Sequence, residues 1–121
     1  MPGAFELPFA AERLQASCTV VLCIGCLIKG DTMHFEYISE AVAQGLMRLN
    51  EARPGAQGWR CPVIYGVLEC LTEAQALARA GLVPGSHNHG TEWAQSALRM
   101  AEVAAAHPPV TRSVADFQAS C

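Results

Sequence analysis

The ten residues Thr19-Val20-Val21-Leu22-Cys23-Ile24-Gly25-Cys26-Leu27-Ile28 carry no charge and no polar alternation. A half-buried strand repeats its apolar residues at every second position and a surface helix at every third or fourth. A short run that does neither is the mark of a strand covered on both faces. Such a strand belongs in a parallel sheet, where the next strand is reached only through a crossover long enough to hold a helix. The run also falls far below the roughly 20 residues that span a bilayer. It predicts a central strand of an α/β domain rather than a membrane segment.

The rest of the chain supplies helices and one partner strand. Residues 9–16 read as a short helix with Pro8 in its first turn, where a missing N–H is tolerated. After Lys29-Gly30-Asp31-Thr32, the residues Phe35, Ile38, Val42, Leu46 and Leu49 recur at spacings of three and four. They form the buried stripe of an amphipathic helix that ends near Asn50. Residues 51–58 are a loop by their Pro and Gly content, and Pro62-Val63-Ile64-Tyr65-Gly66-Val67-Leu68 is a second buried strand. Thr72 with Gln75 makes a capping-box pattern and Gly81 stands where a helix C′ residue belongs, so residues 73–80 form a short helix. Residues 84–90 are a loop, residues 91–106 an Ala-rich last helix, and Pro108-Pro109 stops it. This order predicts one α/β domain over residues 1–106, an open parallel sheet with right-handed crossovers and helices on both faces, followed by a tail over residues 107–121.

Charged residues are 16% of the chain and the formal net charge is −3, with no basic patch. Neither nucleic acid nor an anionic membrane is therefore expected as partner. Met1-Pro2-Gly3 is followed by Glu6 and then Glu12-Arg13, a start unlike a signal peptide or anchor. The six cysteines are Cys18, Cys23, Cys26, Cys61, Cys70 and Cys121. Cys23 and Cys26 have redox or metal spacing, but residues three apart in a strand face opposite sides. The reading is reduced, buried thiols in a cytoplasmic protein.

In open α/β sheets ligands collect beyond the carboxyl ends of the strands. Lys29-Gly30-Asp31-Thr32-Met33-His34 occupies that place after the first strand, with Asp31 or Thr32 positioned to cap the following helix. The free N–H groups and positive dipole end there suit a phosphate on the amides of Asp31 and Thr32. His34, in the first helical turn, is suited to take and return protons. Arg79 can clamp a phosphate with its fork of donors, although a cation in a last helical turn is also what the dipole favours. His87-Asn88-His89 resembles a metal motif, but no acid or Cys stands at ligand spacing and alternate loop residues need not converge, so no metal is expected. Lys29 is the only lysine, which limits any Schiff base on an enzyme amine to that residue.

Five segments, in order, resemble the lumazine synthase family of riboflavin biosynthesis. They are Pro2-Gly3-Ala4-Phe5-Glu6-Leu7-Pro8, Ile28-Lys29-Gly30-Asp31-Thr32-Met33-His34-Phe35-Glu36-Tyr37, Pro62-Val63-Ile64-Tyr65-Gly66-Val67-Leu68, Gln75-Ala76-Leu77-Ala78-Arg79-Ala80-Gly81 and Asn88-His89-Gly90. The stretches around His34 and His89 look most like the fungal branch. The resemblance implies a three-layer, flavodoxin-like fold and the condensation of 5-amino-6-ribitylaminouracil with 3,4-dihydroxy-2-butanone 4-phosphate to 6,7-dimethyl-8-ribityllumazine, water and phosphate. It implies no cofactor. By similarity, Ala4, Phe5 and Glu6 hold the uracil and its ribityl chain, and Cys26, Leu27 and Ile28 present backbone groups. Asp31, Thr32 and Arg79 hold the phosphate, and His34 shuttles protons. Tyr65 stands where the family usually has Phe, contributed by a neighbouring subunit, and His89 where many bacterial members have Lys.

The family pattern has a strand, a helix and most of a second strand before the block that here begins at Pro2. The fold is thus expected to be N-terminally truncated, without one inner strand and the aromatic residue that stacks on the uracil, leaving a sheet of two long strands with exposed apolar face and open edges. Two functions follow: a lumazine synthase working as a homopentamer or a 60-subunit shell of pentamers, or an impaired paralogue or fragment that keeps phosphate binding and assembly. Without the resemblance, the residues describe a small flavodoxin-like phosphate-binding domain.

Overall fold

The computed structural model describes residues 2–51 and 60–108. Most of the expected loop at 51–58 and nearly all of the expected tail lie outside them. A 3-10 turn at Ala4–Glu6 leads into helix α1 (Leu7–Leu14). Strand β1 (Val21–Ile28), helix α2 (His34–Asn50), strand β2 (Val63–Cys70), helix α3 (Glu73–Arg79) and helix α4 (His89–Ala106) follow in order. The two strands pair in parallel, with Val21 opposite Val63 and Ile28 opposite Cys70. The α/β architecture with a parallel sheet is therefore present.

One sheet face carries Val21, Cys23, Val63 and Val67, which join Leu7, Ala11, Val42, Leu46, Leu49 and Cys61 in the core. The apolar stripe of α2 is thus buried as its spacing requires, most completely at Val42, Leu46 and Leu49. Gly45 lets α1 lie against α2, since a Cβ there would come within 2.9 Å of Pro8. On the opposite face Gly66 receives Trp93 of α4, whose ring carbon Cε3 would stand 3.0 Å from an added Cβ. The helices therefore form layers on both sides of the sheet.

Two side chains fasten the segments together. The Gln15 side chain, 1% exposed, donates from Nε2 to Leu49 O at 3.1 Å and to Cys61 O at 2.8 Å. It binds the end of α1 to the end of α2 and the approach to β2. Asn50 donates to Val63 O and accepts from Val63 N, both at 2.8 Å. Its amide thereby occupies the backbone groups that start β2.

Coverage of β1 is incomplete. Ile24 is 62% exposed and Ile28 44% exposed, and Cys26 between them is exposed as well. The expectation of a central strand buried on both faces is corrected: among the described residues β1 borders a two-stranded sheet, and the carboxyl half of one face lies beyond the helices packed on it. Cys26 is accordingly not one of the buried thiols, whereas Cys23, Cys61 and Cys70 are, and Cys18 is half-buried. None of these five is in a disulfide. No helix among the described residues is long and apolar enough to cross a membrane.

Candidate functional site

The parallel register brings the carboxyl ends of β1 and β2 to one edge, with Ile28 beside Cys70. Lys29 N donates to Cys70 O at 2.9 Å, extending the ladder by one bond before the chain leaves the sheet. The turn after β1 then starts at a fixed point. Lys29 Nζ donates to Glu36 Oε1, tying the strand end to the first turn of α2. That bond is the largest cause of a Glu36 carboxyl pKa below the ordinary value. The only lysine is thus an ion-pair partner rather than a free amine.

Within the turn, Asp31, Thr32, Met33 and His34 are all exposed, and His34 is the first residue of α2. Its imidazole accordingly stands at the helix's positive end, where backbone N–H groups lack intrahelical acceptors. The capping expectation is corrected: Met33, not Asp31 or Thr32, is the N-cap, and no side chain caps α2. Thr32 Oγ1 accepts instead a long local bond from His34 N, at 3.4 Å. A Cβ added at Gly30 would meet nothing within 4 Å, so the turn is open on its outer side. Open donors are what an oxyanion ligand requires.

Ala4, Phe5 and Glu6 form the 3-10 turn. It packs over the middle of β1, where an added Gly25 Cβ would lie 3.4 Å from the Ala4 Cβ. Phe5 is exposed, and Ala4 and Glu6 are half-buried. The fold therefore places three sequence-predicted groups along β1 and the turn that follows it: Ala4–Glu6, the strand end Cys26–Ile28, and Asp31–His34.

Tyr65, Arg79 and His89 are positioned elsewhere. Tyr65 lies in mid-β2 and its OH donates to Glu69 Oε1 at 2.6 Å. Partial burial, the Glu69 hydrogen bond and the Glu69 charge all push the phenol pKa up, so Tyr65 remains a protonated donor. Arg79 ends α3, and its Nη1 stands 3.3 Å from Nε2 of His89, the first residue of α4. Among the described residues no hydrogen bond or ion pair joins Arg79 to Asp31, Thr32 or His34.

Local chemistry explains why Arg79 and His89 meet. Thr72 Oγ1 accepts from Gln75 N at 3.3 Å, and Gln75 Oε1 accepts from Leu71 N at 2.8 Å, fixing the start of α3. Gly81 turns the chain at φ +73°, where a Cβ would come within 2.6 Å of the Asn88 Cβ. Ala80 and Asn88 then form an antiparallel bridge, and the Asn88 side chain caps α4 by accepting from Gly90 N at 2.8 Å. The loop closes on itself and delivers His89 to the end of α3. Glu92, one turn into α4, lies against both histidines: His87 Nε2 is 3.1 Å from Oε1, and His89 Nδ1 is 3.1 Å from Oε2. Sequence reasoning missed this acid, although the i,i+3 spacing from His89 on a capped helix was the signal that could have found it.

Comparison with known proteins points one way. A family model described as 6,7-dimethyl-8-ribityllumazine synthase matches residues 1–105. The chain is 52% identical to the 6,7-dimethyl-8-ribityllumazine synthase of Pyricularia oryzae, an alignment covering 83% of this chain and 66% of the relative. It is 50% identical to that of Schizosaccharomyces pombe, over 83% of this chain and 60% of the relative. For Porphyromonas gingivalis the identity is 46%, over 84% of this chain and 59% of the relative. The chain thus spans about three fifths to two thirds of the length of the curated relatives it matches. With the sheet, the open turn after β1 and a match over nearly all the described residues in agreement, the chain belongs to the 6,7-dimethyl-8-ribityllumazine synthase family.

Proposed function

We propose that the chain acts as a lumazine synthase, condensing 5-amino-6-ribitylaminouracil with 3,4-dihydroxy-2-butanone 4-phosphate in the cytoplasm. The observation that carries this reading is the open, uncapped start of α2 with His34 as its first residue. Amides of Asp31 and Thr32 hold the phosphate of the ketone, and the adjacent imidazole moves protons. The uracil substrate brings its own amine, so imine formation needs no lysine, in keeping with the engagement of Lys29 by Glu36. His34 assists loss of water as the imine forms and the departure of phosphate. Ala4, Phe5 and Glu6 hold the ribityl chain and the uracil, with backbone groups of Cys26, Leu27 and Ile28 beside them. One domain over residues 1–106 carries these groups.

In this reading the active site is shared between subunits of a homopentamer or of a 60-subunit shell built from pentamers. Arg79 and His89 bond to each other rather than to the phosphate turn of their own chain, which favours their serving a neighbour's turn, along with Tyr65. The exposed Ile24 and Ile28 on β1 supply apolar surface for association. Purified chain mixed with both substrates forms the fluorescent lumazine if the reading is right. His34→Ala and Arg79→Ala chains, each impaired alone, regain activity when co-expressed, because roughly a quarter of sites in a randomly mixed ring then pair an intact turn with an intact clamp. Phosphate binding without product by the parent chain would support the impaired-paralogue reading instead. Product formation with no recovery in the mixed assemblies would place the whole site in one chain.

A further inference from the structure

The least explained group of side chains is His87, His89 and Glu92. One ligand atom from each lies within 4.8 Å of the other two. The His87 and His89 rings meet edge to face with centroids 5.3 Å apart, and the Glu92 carboxylate offers one oxygen to each ring at 3.1 Å. Ligands at ordinary zinc distances on a tetrahedron stand about 3.3–3.6 Å apart. The two 3.1 Å contacts go to different oxygens of Glu92, so the ion draws on both carboxylate oxygens, and the wider separations within the 4.8 Å group close as it binds.

The scaffold under this group is fixed independently of any ion. Asn88, between the histidines, is locked by the bridge to Ala80 and by its cap on Gly90 N. Ser86 N and Ser86 Oγ both donate to Val83 O, at 3.0 and 2.6 Å, shaping the preceding turn. Little chain entropy remains to be lost on chelation. The His87 side chain is 62% exposed and that of Glu92 57% exposed, so an ion can enter and solvent can complete its shell. Two imidazoles and one carboxylate with an open position form a donor set suited to zinc and its transition-metal neighbours rather than to magnesium or calcium.

Arg79 makes the arrangement bistable. Its guanidinium only donates, so in this bond His89 Nε2 accepts, and Nδ1, facing Glu92, carries the ring proton. An ion bound at Nδ1 requires the opposite tautomer, with the proton on Nε2 pointing at the guanidinium. The ring keeps one proton, relocated through solvent, and the Arg79 bond is lost.

We propose that His87 Nε2, His89 Nδ1 and the Glu92 carboxylate bind a divalent transition-metal ion of the zinc class, and that this ion and the Arg79–His89 hydrogen bond exclude each other. The site shares His89 and Arg79 with the proposed condensation, which itself needs no metal, and its test reads binding rather than turnover.

Isothermal titration of the full 121-residue chain with zinc chloride is run beside His87→Ala, Glu92→Gln and Arg79→Gln. All four chains carry the same cysteines, so thiol binding cancels in the comparison. Loss of His87 or Glu92 weakens the site at least tenfold, whereas loss of Arg79 strengthens it by releasing Nε2. Circular dichroism checks that the variants fold. Equal zinc binding by the parent, His87→Ala and Glu92→Gln chains, or no binding by any, overturns the site. Weaker binding in Arg79→Gln overturns the exclusion.

Discussion

Replacing Gln15 by Leu tests how this small sheet is held together. In the folded chain the Gln15 amide is the donor for two carbonyls distant in sequence, Leu49 O at 3.1 Å and Cys61 O at 2.8 Å. A buried carbonyl deprived of its partner costs about 1–3 kcal/mol. Two of them set a loss of roughly 2–6 kcal/mol. One opposing effect exists: Gln15 Oε1 is itself buried without a partner, and leucine removes it. The net expectation is a loss of about 2–4 kcal/mol, a large part of the 5–15 kcal/mol typical of a domain. With a urea m-value of about 1–2 kcal/mol/M for a chain of this size, the unfolding midpoint falls by more than about 1 M. Gln15→Glu keeps the shape but supplies no donor at neutral pH and buries a charge, so it is the less stable of the two. Equilibrium urea unfolding followed by circular dichroism gives the order parent, leucine, glutamate. A leucine variant as stable as the parent would falsify the claim that this amide joins the three segments.

Three other outcomes follow from the structure. At Gly66 an added Cβ would stand 2.8 Å from Cys23 O and 3.1 Å from Trp93 Cδ2. Gly66→Ala is therefore destabilising by about 1–3 kcal/mol in urea unfolding, and Gly66→Ala with Trp93→Leu recovers only part of the loss, because the strand carbonyl cannot move aside. The Glu36 carboxyl titrates below its ordinary 4.5 in the folded chain, chiefly through the Lys29 hydrogen bond. The stabilisation is present above that pH and is lost as acid protonates the folded carboxylate, so the midpoint gap between parent and Glu36→Gln is full at neutral pH and closes as the pH falls below 4.5. Burial, and secondarily Cys70, raises the pKa of the exposed Cys26 thiol, while burial raises those of Cys23 and Cys61. Among the described cysteines Cys26 is alkylated first, at a rate that climbs with alkaline pH, and mass spectrometry finds Cys23 and Cys61 protected until urea unfolds the chain.

Local signals made most elements legible. The spacing of Val42, Leu46 and Leu49 gave α2, and the Thr72 and Gln75 side chains gave the start of α3, because each reports a bond or face within one turn. Bare apolar sheet surface was expected from the family pattern, but that Ile24 and Ile28 would carry it was not legible. An apolar run shows that a strand is suited to cover, not whether its own chain supplies that cover. Gln15 escaped notice for a related reason: its role exists only once the ends of α1 and α2 and the approach to β2 have come together. The turn after β1 was readable in position but not in detail, since whether Asp31, Thr32 or Met33 ends up as N-cap depends on backbone angles that differ by a single residue. His89 and Arg79 were found separately, and only the fold of residues 80–90 joins them.

The account turns on His34 at the open start of α2, and turnover is its most direct measure. Steady-state lumazine formation by the His34→Ala chain is predicted to show kcat lowered by about 10²–10⁴-fold, the usual range for a positioned proton carrier, with KM for both substrates nearly unchanged. A variant that turns over as fast as the parent, or that loses affinity and rate to the same degree, contradicts it.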